Sequence, residues 1–265
     1  MLVATWRQLD ADVSLREVYQ FEVWYRLHQR STWVYALVLF GIPFLMMHAI
    51  DGSSLPLNAP VMVTNGATIM GAIAMLITAG IFGDAAARDE QARIHSLFYT
   101  SPLKESHYLT GRFCGALTMN AILLLGVPLG LLLASVMPYM SAGKFGPVQL
   151  MAYVQVYVLL LLPNLIIIGA CMFAAAALTR QPLATYLGGL VLYAVGTIAG
   201  DLTDGLSNLL LSALVDPFGG RAIALVTQLW TPAESSARLL GWPGVLVLNR
   251  VLWFVVAVVV VAVLL

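Results

Sequence analysis

The sequence predicts an all-α polytopic membrane protein, and three observations predict it. Apolar residues make up 60% of the 265 positions and charged residues only 10%, against a globular average of about 25% charged. The apolar residues gather into six stretches, at 33–50, 66–83, 109–136, 150–178, 184–200 and 246–265. Each approaches the ~20 residues that a helix needs to cross a bilayer core about 30 Å thick. The mean hydropathy of +0.89 agrees.

Residues 1–32 form the polar lead-in. Within them 15–30 reads as an interfacial helix: Phe21, Trp24 and Tyr25 share one side, while Glu22, Arg26, Gln29 and Arg30 share another. Glu22 and Arg26 form an i,i+4 pair in the favourable order. Aromatic residues on one side and arginines on another suit a helix lying flat at the membrane–water boundary. Glu17 and His28 intrude on the aromatic side. No signal peptide is expected, because 2–5 is too short for an apolar core segment.

Residues 33–265 carry the six spans. The first connector, 51–64, holds Gly52, Pro56 and Pro60 and no basic residue. The connector at 84–110 holds two acid-before-base pairs, Asp84–Arg88 and Asp89–Arg93, beside a narrow apolar face of Ile94, Leu97 and Phe98. Thr100-Ser101-Pro102 then breaks that helix and starts another, with Ser101 as N-cap and Pro102 at the first helical position. A helix, a break and a short helix make a surface that a partner protein can grip; a solvated loop is the plainer reading.

Glycines four apart recur in the third and fifth spans, as Gly111 and Gly115, Gly126 and Gly130, and Gly196 and Gly200. Such pairs let helices approach closely in lipid, although 22 glycines produce the spacing often by chance. Pro128 and Pro163 are expected to kink the third and fourth spans. Cys114 and Cys171 read as small packing residues. The long connector 201–249 is not simply polar. It holds two short apolar segments around the turn signal Asp216-Pro217-Phe218-Gly219-Gly220, followed by the capping box Thr231-Pro232-Ala233-Glu234. Half-length apolar segments joined by turns read as re-entrant or interfacial helices.

Charge placement predicts orientation. Arg7, Arg16, Arg26 and Arg30 precede the first span, Arg88, Arg93, Lys104 and Arg112 lie between the second and third, and Arg180 follows the fourth. The other side holds Lys144, Arg221, Arg238 and Arg250. The positive-inside rule therefore puts the N-terminus in the cytoplasm. Zero net charge and the lack of a basic stripe argue against a nucleic-acid partner.

The spans are poor in coupling chemistry. His48, Arg112 and Arg250 are their only ionisable Asp, Glu, Lys, Arg or His residues, and all three lie near span ends. Asn120 and Asn164 read as interhelical hydrogen-bonding groups. Ion-coupled transporters place such ionisable groups in mid-span. No catalytic motif, no metal-ligand spacing and no phosphate loop is legible, so no enzyme activity, cofactor or metal is expected. Any work done must be powered by a partner.

At this point the residues resemble a known family. The order of an interfacial helix, a charged 84–110 connector and a re-entrant 201–249 region resembles the permease of type-2 ABC exporters, six spans to each half. Ala87-Arg88-Asp89, Tyr99-Thr100-Ser101-Pro102, Tyr108-Leu109-Thr110-Gly111-Arg112-Phe113, Asp216-Pro217-Phe218-Gly219, Trp230-Thr231-Pro232-Ala233-Glu234 and Asn249-Arg250-Val251-Leu252-Trp253 look like the permeases that precede a second membrane half and a zinc aminopeptidase-like domain in one polypeptide. The end of the chain inside an apolar run is the expectation for a first half of such a fusion. The resemblance implies an ABC ATPase subunit as partner, docked through Arg88, Arg93, Pro102, Lys104 and Glu105. It also implies a second permease half or a homodimer, and a bacterial inner membrane location. The alternative is a membrane anchor or scaffold for a peptidase domain, without transport.

Overall fold

The computed structural model describes residues 2–50, 55–92, 104–137, 143–205 and 208–264, with side chains from residue 15 onward except at 199, 204, 205 and 264. Among these every regular element is helical, and six helices are long and apolar enough to cross a membrane. The chain is an all-α, multi-pass membrane protein.

Helix α1 (Leu2–His28) leads into α2 (Arg30–Ala49), the first span, across a break at Gln29. The second span, α3 (Pro60–Gln91), runs well past the apolar stretch that marks it in the sequence. Hydropathy stops at Gly83, but the helix continues because its charged residues pair with other elements. The third span is split into α4 (Glu105–Leu124) and α5 (Gly126–Ser135). The split falls at Leu125, one turn ahead of Pro128, whose ring nitrogen cannot bond to the carbonyl of Leu124. The fourth span is α6 (Leu150–Val156), a π-helical turn at Tyr157–Leu161, and α7 (Leu162–Thr179). The π turn ends where Leu162 donates to the Tyr157 carbonyl, directly before Pro163. Pro163 cannot donate to Leu159, and the wider turn absorbs that loss. The fifth span is α8 (Leu183–Gly205) and the sixth is α12 (Gly244–Leu264). Between them lie three short helices, α9 (Leu209–Val215), α10 (Gly220–Thr227) and α11 (Pro232–Ala237).

The second, third and fourth spans form the centre, with 56%, 50% and 61% of an apolar 18-residue stretch of each buried by protein; the first, fifth and sixth, at 22%, 24% and 22%, form the rim. Phe82 of α3, Phe113 of α4 and Phe173 of α7 meet as an aromatic triad, with centroids 5.4 to 6.3 Å apart. A Cβ on Gly169 of α7 would lie 2.5 Å from the Phe82 ring, so the missing side chain is what seats the triad.

The two ends of the bundle are chemically unlike. At the far end the α2–α3 and α5–α6 connectors are tied together: Asn58 Nδ2 donates to the Gly146 carbonyl at 2.7 Å, and Gly146 N–H donates back to Asn58 Oδ1 at 2.8 Å. At the other end Arg180, after α7, meets Glu90 of α3 at 3.4 Å, close to the charged residues of α1, α3 and α4.

Two charged residues of α1 do not face water. Glu22 is fully buried and Arg26 nearly so, while Phe21 and Trp24 are exposed on the opposite side. Charges that look solvated on an isolated helical wheel are paired inside the bundle.

Candidate functional site

The charged end is built from three helices. Glu22 and Arg26, one turn apart on α1, form the predicted pair at 2.7 Å. Asp84 and Arg88, one turn apart on α3, form another at 3.3 Å. The two pairs then lock into each other. Arg88 Nη2 donates to both Glu22 carboxylate oxygens, at 2.8 and 2.7 Å, and Arg26 Nη2 reaches Asp84 at 3.2 Å and the Ile81 carbonyl at 2.9 Å. From α4, Arg112 approaches Glu22 at 3.6 Å and Asp89 at 2.5 Å, and the Tyr108 hydroxyl donates to the same Asp89 oxygen.

Three carboxylates thus face three guanidiniums, and the cluster is neutral as a whole. That balance makes it tolerable where water is scarce. Glu22 sits at its centre, facing arginines of all three helices. Arg88 Nε and Nη1 have no hydrogen-bond acceptor among the described residues. The Arg88 guanidinium carbon instead lies 3.9 Å from the Tyr25 ring centroid, and the ring face receives it.

The close approach of α1 has a cause in α4. A Cβ on Gly111 would come within 2.9 Å of Val18, and one on Gly115 within 2.7 Å of Glu22 Cβ. Any larger residue at Gly115 would push Glu22 away from its arginines. The second pair serves α2: a Cβ on Gly126 would lie 3.2 Å from the Phe40 nitrogen, and one on Gly130 would overlap the Phe40 carbonyl oxygen. The third pair, on α8, faces Pro217 from Gly196 and the Arg221 guanidinium from Gly200.

The residues expected to dock a partner separate into groups. Lys104 and Glu105 are exposed at the start of α4. Arg88 points inward, so its charge is spent on Glu22, Asp84 and Tyr25 rather than offered outward. Arg93 and Pro102, the Asp89–Arg93 pair, Ile94, Leu97 and Phe98, and the Ser101 cap lie outside the described residues. Among the interfacial residues, Phe21, Trp24 and Arg30 are exposed, Tyr25 lies under Arg88, and Arg26 belongs to the cluster.

A second polar assembly holds the far end. Asp216 accepts from the Phe218 and Arg221 backbone N–H groups, both at 2.9 Å, and so shapes the turn between α9 and α10. Asn249 Nδ2 of α12 donates to the carbonyls of Ala213 and Asp216, each at 2.8 Å, and Arg250 donates to Asn164 Oδ1 at 2.6 Å and the Phe218 carbonyl at 2.7 Å. Asn164 of α7 returns a bond to Phe218, and Trp253 Nε1 donates to the Leu214 carbonyl. The turn and the start of the sixth span, 33 residues apart, therefore form one lock. Gly219 is required there twice: its φ is +75°, and a Cβ would overlap the Arg250 guanidinium. Asn120, in mid-bundle, donates to Thr78 Oγ1 at 3.0 Å, an interhelical bond of the kind its position predicts.

Which residues would meet was not legible in the sequence. The i,i+4 spacings of Glu22–Arg26 and Asp84–Arg88 were the only available signal, and they report pairing within a helix, not between helices. No protein-family model, no curated protein and no solved structure matches this chain.

Proposed function

We infer that the chain is the permease half of an ATP-driven exporter of the type-2 ABC class. It works in the bacterial inner membrane with its charged end and N-terminus in the cytoplasm, and it pairs with a second half or a second copy of itself. The observation that carries this reading is the neutral cluster joining α1, α3 and α4 around Glu22, on both sides of the 93–103 segment. Three helices welded at one end move together when that segment is pushed. Such a push is the natural input from an ATPase subunit docked there, and the poverty of ionisable groups in mid-span gives an ion gradient nothing to act on. Carried by α3, that motion would tilt the first, second and fifth spans and open the path outward.

With Arg88 facing inward, docking falls to Arg93, Pro102, Lys104 and Glu105. Reversing Lys104→Glu together with Glu105→Lys is expected to weaken retention of the ATPase while leaving the thermal midpoint of the purified chain unchanged. Unchanged retention in that variant and in Arg93→Glu would contradict docking at this segment.

A further inference from the structure

The rim spans α2 and α8 pack against α3 on two sides, and the strip of α3 left exposed between them is the floor of a shallow groove. On one flank, Gly66 of α3 faces Met46 of α2; on the other, Met75 of α3 faces Gly189 of α8. Between those flanks an exposed stripe of α3 runs through Ile69, Ala72 and Leu76, at positions that share a helix face with Gly80. Gly80 closes the groove at the charged end. A Cβ there would lie 3.0 Å from the Tyr186 hydroxyl of α8 and 3.4 Å from the Tyr35 hydroxyl of α2. Both phenols thus converge over one bare point of the α3 backbone. Among the described residues the two hydroxyls face each other, and no hydrogen bond of either is found.

Two unpaired hydroxyls inside an apolar groove of a membrane span need an acceptor, because hydrocarbon supplies none. Their depth says which. Gly80 lies one turn inside Asp84, at the inner edge of the charged end. The stripe from Gly80 to Ile69 is about 16 Å long at 1.5 Å per residue. That is about half of a ~30 Å bilayer core, the reach of one leaflet. An occupant with oxygen acceptors at the boundary and an acyl chain one leaflet long fits both ends of the groove.

We propose that this groove is a binding site for a single glycerophospholipid. Its ester and phosphate oxygens accept from Tyr35 and Tyr186, and one acyl chain lies along Leu76, Ala72 and Ile69. Gly80 is a glycine because a side chain there would occupy the space the acceptor oxygens take. The site is independent of the exporter reading and stands whether or not the chain transports anything.

The test is photolabelling of the full chain in vesicles of phosphatidylethanolamine and phosphatidylglycerol. The vesicles are doped with a phosphatidylglycerol carrying a diazirine midway along one acyl chain. The peptide containing 69–76 is expected to label several-fold above the exposed face of α12 at Val255, Val258 and Val259. The double variant Tyr35→Phe, Tyr186→Phe keeps the ring volumes and loses both donors. It is expected to cut α3 labelling about tenfold, the effect of losing two net hydrogen bonds of ~0.7 kcal/mol each, with α12 unchanged. Gly80→Ala is expected to lower it in the same direction by crowding the hydroxyls. Equal labelling of α3 and α12 in the unaltered protein, meaning bulk lipid only, would overturn the proposal. So would undiminished α3 labelling in both variants.

Discussion

Glu22 is the residue on which the charged end depends. It is fully buried and faces Arg26, Arg88 and Arg112, so its replacement leaves three guanidiniums sharing two carboxylates. Removing one partner of a buried ion pair costs about 3–5 kcal/mol. Glu22→Gln is therefore expected to lower the thermal midpoint in detergent and to speed proteolysis within α1; an unchanged midpoint would show that the cluster bears no stability. Gly219 plays the corresponding part at the far end. Gly219→Ala meets both a positive φ and the Arg250 side chain, at a cost of at least ~1 kcal/mol, and faster hydrogen exchange over 208–220 would register it. Neither residue announces its role in the sequence. Glu22 reads as half of a local helix pair and Gly219 as an ordinary turn glycine, because their decisive neighbours lie 66 and 31 positions away.

At the scale of elements, the six spans and their proline breaks were legible, since hydropathy and the missing proline N–H act locally. Packing partners were not. The glycine pairs give the spacing of a close crossing, but only the structure places Gly111 and Gly115 against α1, and Gly126 and Gly130 against α2. Gly115→Leu is expected to lift α1 from α4, at about 1–3 kcal/mol of overpacking, and to release an α1 spin label into faster motion. The capping box of α11 is different, because all its parts lie within four residues, and the sequence predicts it correctly. There the Thr231 backbone N–H and hydroxyl hold the Glu234 carboxyl below its ordinary pKa. A depressed folded pKa means that its support is full above the unfolded value and fades as pH falls through the lowered folded value. Hydrogen exchange in 231–237, corrected for intrinsic rate, is expected to stay slow at neutral pH and to rise only in acid.

Among the described residues the molecule is a central trio of spans with three at the rim, a neutral ion cluster at one end and a hydrogen-bonded turn at the other. Composition and hydropathy carried the class of fold and the number of spans. They could not show that Glu22 and Arg26 of α1 face inward, because a helical wheel shows one helix without its neighbours. Nor could they join Asp216-Pro217-Phe218-Gly219 to Asn249-Arg250, whose contact exists only once α12 returns to the turn. The central claim, that this end receives force from an ATPase, is tested most directly by quantitative mass spectrometry of the tagged full-length protein extracted from native membranes in mild detergent. The account predicts an ABC ATPase retained in stoichiometric amount and lost in the Lys104→Glu, Glu105→Lys variant. Recovery of the intact chain with no ATPase, under conditions that keep other membrane complexes together, would contradict it and favour an anchoring role.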